Sequence, residues 1–458
     1  MDDFLPQELN TKLKDAGEVD IVAGIPSYNN ARTIGHVVRA VSAGLHKYFP
    51  ERRSIIVNSD GGSKDGTPEV AMSAEHDVEA LLVVAQQMGP IQRLSTPYHG
   101  LPGKGSAFRT IFEVVRRLKA KACLVVDSDL RSIAPSWVEL LVRPILEREF
   151  DFISPLYLRH KYDGTITNGI IYPLTRALFG KRVRQPIGGD FGFSGRMAQR
   201  YLEKDVWNTD VARFGIDIWM TVTAMGEGFR IGQSYLGAKL HDAKDPGADL
   251  TAMFRQVVGS LFGLMGEHEK AWKGVTTSER VPLFGFPFDV GLEPLAVDVN
   301  RMVRAYGQGV NDLREIYQGF LSPEVREGLA SAAERSGDGF HMPDPLWVRL
   351  IYEYAVAHRQ KKLDRDHLMQ SLVPLYLGRT ASFVLEVRDS NALQVEERIE
   401  QLCSVFEAEK PYLLARWGLT AEKEKEKDKG PEKDTVTEAP KEAAEDEGAK
   451  EKDHATTL

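Results

Sequence analysis

Asp127 and Asp129, separated by Ser128, close an apolar run at residues 122–126. Two carboxylates so spaced can hold a hard divalent cation and, through it, a diphosphate. An aspartate at a strand end also serves as a turn or helix-cap residue, so the pair takes its meaning from its company. Asp60 lies in residues 58–65 (NSDGGSKD), where its carboxylate either accepts a hydrogen bond from a nucleobase imide or organises a glycine-rich turn. Lys104 stands in Pro102-Gly103-Lys104-Gly105, where glycines let the backbone approach phosphate. The Ser or Thr that follows the lysine of a phosphate-binding P-loop is absent. Gly188 and Gly189 precede Asp190 in residues 185–190 (QPIGGD), a stretch that lets backbone crowd a ligand while the acid points into a cleft, or forms a tight capped turn. Asp217 interrupts the apolar run 214–219 (FGIDIW), a costly place for a carboxylate unless it is paired or ligand-bound. His241, in residues 239–242 (KLHD), is either structural or the distant third ligand that an Asp-x-Asp metal site calls for.

These residues need strands to bring them together. The run 122–126 has the β-branched, apolar character of a strand buried on both faces of an α/β sheet. Ligands of such sheets bind beyond the carboxyl ends of the strands. The pattern predicts further strands over 19–25, 54–58, 80–85 and 150–158, with helices after Asn30, after Thr67 and over 108–118. Residues 89–105 read as one long glycine- and proline-rich loop. Strands alternating with helices indicate an α/β class with a mostly parallel, doubly wound sheet. Beyond about residue 280 the segments 297–308, 344–358 and 393–406 read as helices. The expected organisation is an N-terminal extension 1–18, an α/β domain 19–280, a mainly helical region 281–419 and a charged tail 420–458. That tail has no aromatic residue and almost no large apolar side chain, so it cannot offset its ordering entropy and reads as disordered.

The chain of 458 residues carries a net charge of −8, and its 42% hydrophobic content suffices for a proper core. After residue 420 there are 13 acids against 8 lysines, so the rest of the chain carries only −3. This balance argues against a general nucleic-acid binder. Cys123 and Cys403 are far apart, Cys123 inside the apolar run; no disulfide framework is implied, which suits a reducing cytoplasm. The polar, acidic N-terminus does not read as a secretory signal. No window approaches the length of a membrane span, so a soluble protein is expected.

Taken in order, these motifs resemble those of the GT-A nucleotide-sugar glycosyltransferases, over about residues 19–270. The opening residues 26–30 (PSYNN), the loop 60–67 (DGGSKDGT) and Asp127-Ser128-Asp129 match the general pattern. Residues 102–105, 185–190, 215–217 and His241 look like the retaining synthases of glucosyl-3-phosphoglycerate, glucosylglycerate and mannosylglycerate. The resemblance implies a GT-A, Rossmann-like sheet and a UDP- or GDP-hexose donor. Pro26, Tyr28 and Asp60 would surround the nucleoside, with Lys104 beside base or ribose-phosphate. Asp129 and His241 would ligate Mg²⁺ or Mn²⁺, Asp127 would bind ribose or support the metal, and Ser128 would contact the nucleotide sugar. Gly189 and Asp190 would meet the donor sugar, and Asp217 the reacting centre or the acceptor. The relatives' acceptor loop, Gly-Arg-Val-Thr, corresponds to Gly164-Thr165-Ile166-Thr167. Thr165 in place of arginine removes a bidentate phosphate partner, which favours D-glycerate beside 3-phosphoglycerate as the small hydroxy-acid acceptor. A homodimer is compatible with the extra helical region.

Two other readings use the same residues. An inverting GT-A enzyme acting on a polysaccharide or lipid would need a catalytic base and often a membrane attachment. A non-catalytic nucleotide-sugar-binding protein would not need Asp127, Asp129 and His241 together.

Overall fold

The computed structural model describes residues 5–74, 91–98, 100–240, 251–287 and 295–419. In chain order, the strands of the main sheet are β1 Ile21–Ser27, β2 Ser54–Asp60, β3 Gln92–Pro97, β4 Ala122–Val125, β5 Phe152–Leu158, β6 Phe191–Ser194, β7 Ile231–Ala238 and β8 Leu283–Phe284. They lie in the order β8-β7-β5-β6-β4-β1-β2-β3. Neighbours are parallel except at β6, which runs antiparallel to both β4 and β5.

Successive side chains of a strand point to opposite faces, and both faces here are covered. Ile21, Ala23 and Ile25 of β1 join Leu124 of β4 in a core beneath helices Ala31–Tyr48 and Ser136–Arg148. Val22, Cys123 and Val125 face the other way, onto Phe108, Ile111 and Phe112 of helix Lys104–Arg117. Burial on both sides explains why these strands read as continuous apolar runs. The expected α/β, mostly parallel, doubly wound sheet is therefore present. Both cysteines are buried free thiols.

Three details differ from the expectation. The loop expected over 89–105 contains the edge strand β3, in which only Leu94 and Thr96 are buried. Strand β8 lies just beyond residue 280 and still belongs to the sheet. The N-terminal extension forms helix Gln7–Ala16, whose Leu9 and Leu13 enter the main core. The predicted strand over 80–85, His241 and the charged tail lie outside the described residues.

Helices Val299–Asp312, Asp344–Arg359 and Ala392–Ala408 occupy the predicted C-terminal positions, joined by Pro323–Ala333, Arg365–Glu386 and Lys410–Trp417. Trp347, Tyr354 and Leu372 share the core that contains Phe108 and Phe112. Lys410 Nζ donates to the carbonyls of Ala177 (2.8 Å), Trp272 (2.8 Å) and Val275 (2.7 Å), tying the last of these helices to the α/β part. Among the described residues, no helix is long and apolar enough to cross a membrane.

Candidate active site

Asp127 stands two residues past the end of β4. Because β6 runs the other way, its first residues sit at the same end of the sheet, with Phe191 paired to Val125. Asp190, one residue earlier, thereby lies beside Asp127, whose backbone N–H donates to Asp190 Oδ1 at 2.7 Å. Strand β7 delivers Lys239 to this point. Its Nζ donates to Asp127 Oδ2 (2.7 Å), Asp190 Oδ2 (2.7 Å) and Gly188 O (2.8 Å). Tyr157, near the end of β5, donates its hydroxyl to Asp190 Oδ2. Gly189 has φ +90°, and a Cβ there would stand 2.4 Å from Asp127 Oδ2. Only glycine allows that approach.

Lys104 enters from the opposite wall. It opens helix Lys104–Arg117, and the preceding loop docks on the turn Asp210–Ala212. A Cβ at Gly105 would lie 1.8 Å from Val211 O, so the contact requires glycine. That turn leads into helix Ile216–Gly226, which places Asp217 in its first turn. Lys104 Nζ is 2.9 Å from Asp127 Oδ1 and 3.2 Å from Asp217 Oδ1. Lys104 Nζ donates to Asp217 Oδ2 at 3.3 Å, while the buried Oδ1 accepts no hydrogen bond from a described residue.

The resulting cluster alternates in sign. Burial by itself would raise the Asp127 carboxyl, but Lys104 and Lys239 outweigh it and hold it well below the usual carboxylate range. Burial raises Asp190, with Asp127 adding to the effect and Lys239 opposing it. Asp217 is likewise raised by burial, against the pull of Lys104. Both lysines lose hydration, yet the facing carboxylates keep them above the ordinary lysine range. Burial also pushes the Tyr157 phenol well up, so it remains a donor.

The loops after β1 and β2 form the adjoining wall. Pro26 is buried within β1, whereas the Tyr28 ring is 62% exposed. Asp60 accepts from Ser27 Oγ (2.8 Å), Gly62 N (2.9 Å), Ser63 N (2.8 Å) and Ser63 Oγ (2.6 Å). These four donors organise the turn, and the two hydroxyls among them can rotate away from an incoming ligand. Ser128 Oγ donates to Asn30 Oδ1 at 2.8 Å, joining the β4 end to the same wall.

Asp129 is half-buried, and its carboxylate makes no hydrogen bond or ion pair with a described residue. Leu240 is held close to this loop, donating its N–H to Ser132 Oγ (2.9 Å) and accepting from Arg131 N (2.9 Å). Among the described residues, no group of three or more His, Cys, Asp or Glu side chains is arranged to hold a metal. A carboxylate that no described residue pairs with does suit Mg²⁺ or Mn²⁺, because such an ion completes its shell with water and substrate phosphates.

Of the expected acceptor residues, Asp217 belongs to the acid–lysine cluster, whereas Gly164, Thr165 and Thr167 make no hydrogen bond to it. Gly164 has φ +68°. Thr165 Oγ1 shares a hydrogen bond of 2.6 Å with Tyr376 OH, and Thr167 opens a buried π turn, Thr167–Ile171. A cavity of about 230 Å³ beside Tyr157 is lined by Arg159, Lys161, Asn168 and Arg184 among others. A more open cleft of about 860 Å³ lies at the opposite end of β4, around Lys121, Asp151 and Arg230.

Sequence reasoning missed Lys239 and Tyr157. A lysine two positions before His241, in the stretch 239–242, was a usable signal for the first. Tyr157 offered none, since its partner is 33 residues away.

No family model and no curated protein matches the sequence. Among solved structures, the chain is similar to glucosyl-3-phosphoglycerate synthase from Mycobacterium tuberculosis in complex with Mn²⁺, UDP and glucosyl-3-phosphoglycerate, at 22% identity and TM-score 0.41, covering 57% of this chain and 85% of that one. The complex of that enzyme with Mn²⁺, UDP-glucose and phosphoglyceric acid gives the same identity, coverage and TM-score. Its complex with Mg²⁺ and UDP matches at 22% identity and TM-score 0.41, over 56% of this chain and 83% of that one.

Proposed function

We propose that this chain is a metal-dependent, retaining glycosyltransferase that moves a hexose from a UDP- or GDP-sugar to a small hydroxy acid such as D-glycerate or 3-phosphoglycerate. The observation that carries the reading is the cluster of Asp127, Asp190 and Asp217 with Lys104 and Lys239 at the carboxyl ends of the strands, beside the Asp129 carboxylate, which no described residue pairs with. The motif resemblance supports it independently. Residues 19–284 would form the donor-binding domain, with the C-terminal helices as its support and a cytoplasmic setting.

In this reading Pro26, Tyr28 and Asp60 border the nucleoside and Ser128 steadies the adjoining loop. Asp129, with His241, would hold Mg²⁺ or Mn²⁺, which supplies Lewis-acid neutralisation of charge on the leaving diphosphate. Lys104 releases Asp127 to the ribose and turns its ammonium towards the phosphates, where positive charge favours departure of the nucleoside diphosphate. Lys239 and Tyr157 fix Asp190 for the sugar hydroxyls, and Gly189 leaves room for the ring. Asp217 Oδ1, buried and without a hydrogen bond from a described residue, would meet the acceptor hydroxyl. The departing diphosphate oxygen takes the acceptor's proton, and attack from the leaving-group face gives retention. Residues 164–167 border the acceptor, with Arg159 as a nearby cation for its carboxylate.

The test is nucleoside-diphosphate release with UDP-glucose, GDP-glucose or GDP-mannose, each with D-glycerate, 3-phosphoglycerate or no acceptor. Release that requires one acceptor and stops on adding EDTA is the expected result. Release from no pair, with the donor bound, overturns the acceptor class; an inverted anomer by NMR overturns retention.

A further inference from the structure

Three C-terminal helices grip the segment that the preceding reading assigns to the acceptor. Between β5 and helix Tyr172–Phe179 runs the π turn Thr167–Ile171. Its wider repeat disturbs the regular pairing of helix carbonyls, and Trp347 Nε1, from helix Asp344–Arg359, donates to Gly169 O at 2.8 Å. Lys161 Nζ donates to the carbonyls of Val387 (3.0 Å) and Arg388 (2.5 Å) at the end of helix Arg365–Glu386. Arg184, just past the segment, pairs with Glu396 of helix Ala392–Ala408 at 2.9 Å. Between these anchors, Tyr376 OH meets Thr165 Oγ1 at 2.6 Å. Thr165 is 6% exposed and Tyr376 3% exposed, so water does not compete for this bond. The Tyr376 ring stacks on Phe254, with centroids 4.4 Å apart and planes inclined by 27°.

Resting on the reading of residues 164–167 as the acceptor loop, we infer that Tyr376 is a positioning residue for acceptor specificity. Its hydroxyl turns the Thr165 side chain inward, so the loop presents backbone to the acceptor instead of the arginine found in the phosphoglycerate enzymes. Its ring, held by Phe254, fixes where that hydroxyl stands. The helical region thereby sets the floor of the acceptor site without touching the donor.

Tyr376→Phe removes the hydroxyl and keeps the stacked ring, and Thr165→Val removes the partner with nearly unchanged shape. Each is expected to raise the acceptor KM about 3–10-fold, the loss of one buried hydrogen bond, with the donor KM changed less than about twofold. The double variant should be no worse than either single one, because both break the same bond. Equal rises in donor and acceptor KM would overturn the inference. Thr167→Val separates it from the reading beneath it. An acceptor KM unmoved in all three variants refutes the acceptor-loop reading and the inference together. A rise in Thr167→Val alone leaves the reading standing and refutes the role of Tyr376.

Discussion

Replacing Lys239 with methionine removes one charge from a place where two carboxylates depend on it. Lys239 Nζ lies 2.7 Å from both Asp127 Oδ2 and Asp190 Oδ2, and Asp190 is fully buried. Methionine keeps much of the aliphatic stem, so the change is mainly electrostatic. Removing one partner from a buried, hydrogen-bonded charge cluster costs about 3–5 kcal/mol. Asp190 would keep its bonds from Asp127 N and Tyr157 but lose its own cation, leaving Lys104, paired to Asp127, as the one lysine of the cluster. Its pKa, already raised by burial, would rise further. A carboxyl whose pKa is higher folded than unfolded binds more protons in the folded state. Stability is then lost as pH climbs from the unfolded carboxylate value of ~4 through the raised one. Urea unfolding of Lys239→Met should therefore show a larger deficit against the parent at pH 8 than at pH 5. Adding Asp190→Asn should restore much of the loss at pH 8 by removing the stranded charge. A variant as stable as the parent at pH 8, or a deficit independent of pH, would refute the electrostatic account.

Three further outcomes follow from the geometry. Gly105→Ala places a Cβ 1.8 Å from Val211 O, so it should cost about 1–3 kcal/mol in urea unfolding and raise the donor KM as Lys104 shifts. Asp60→Ala removes the buried carboxylate that accepts from Ser27, Gly62 and Ser63 and should destabilise by about 1–3 kcal/mol, measured the same way. Asp129→Asn should lower Mn²⁺-dependent nucleoside-diphosphate release by more than the ~10–100-fold typical of residues that only support a metal ligand.

The strands that carry the site were legible where they are buried on both faces. Residues 122–125 and 21–25 gave continuous apolar runs, and acids just past such runs could be placed at the sheet's carboxyl end. Strand β3 was not legible, because Gln92, Arg93 and Pro97 surround its two inward residues and an edge strand needs little apolar surface. The helical spacing of the C-terminal region could be read, yet its docking could not. Bonds such as Thr165 to Tyr376 join residues 211 apart, and no local pattern encodes them. The same holds for Lys239, whose partners come from the ends of two other strands. That Asp129 and Asp217 each present oxygen without a hydrogen bond from a described residue is a property of their surroundings and has no signature in composition.

The reversed direction of β6 has a consequence for how such a molecule can change over time. Asp127 and Asp190 are each anchored within two residues of the ladder between β4 and β6, where Val125 faces Phe191. Their separation is thus set by the spacing of adjacent strands, a dimension that no loop insertion alters. The turn of residues 61–66, which follows β2 outside the ladder, carries no such constraint. On the proposed reading, substitutions there would exchange one base or sugar for another while the central pair of acids keeps its distance. The chain would then join a fixed gauge at its centre to adjustable surroundings, and its selectivity would drift while the acids keep their places.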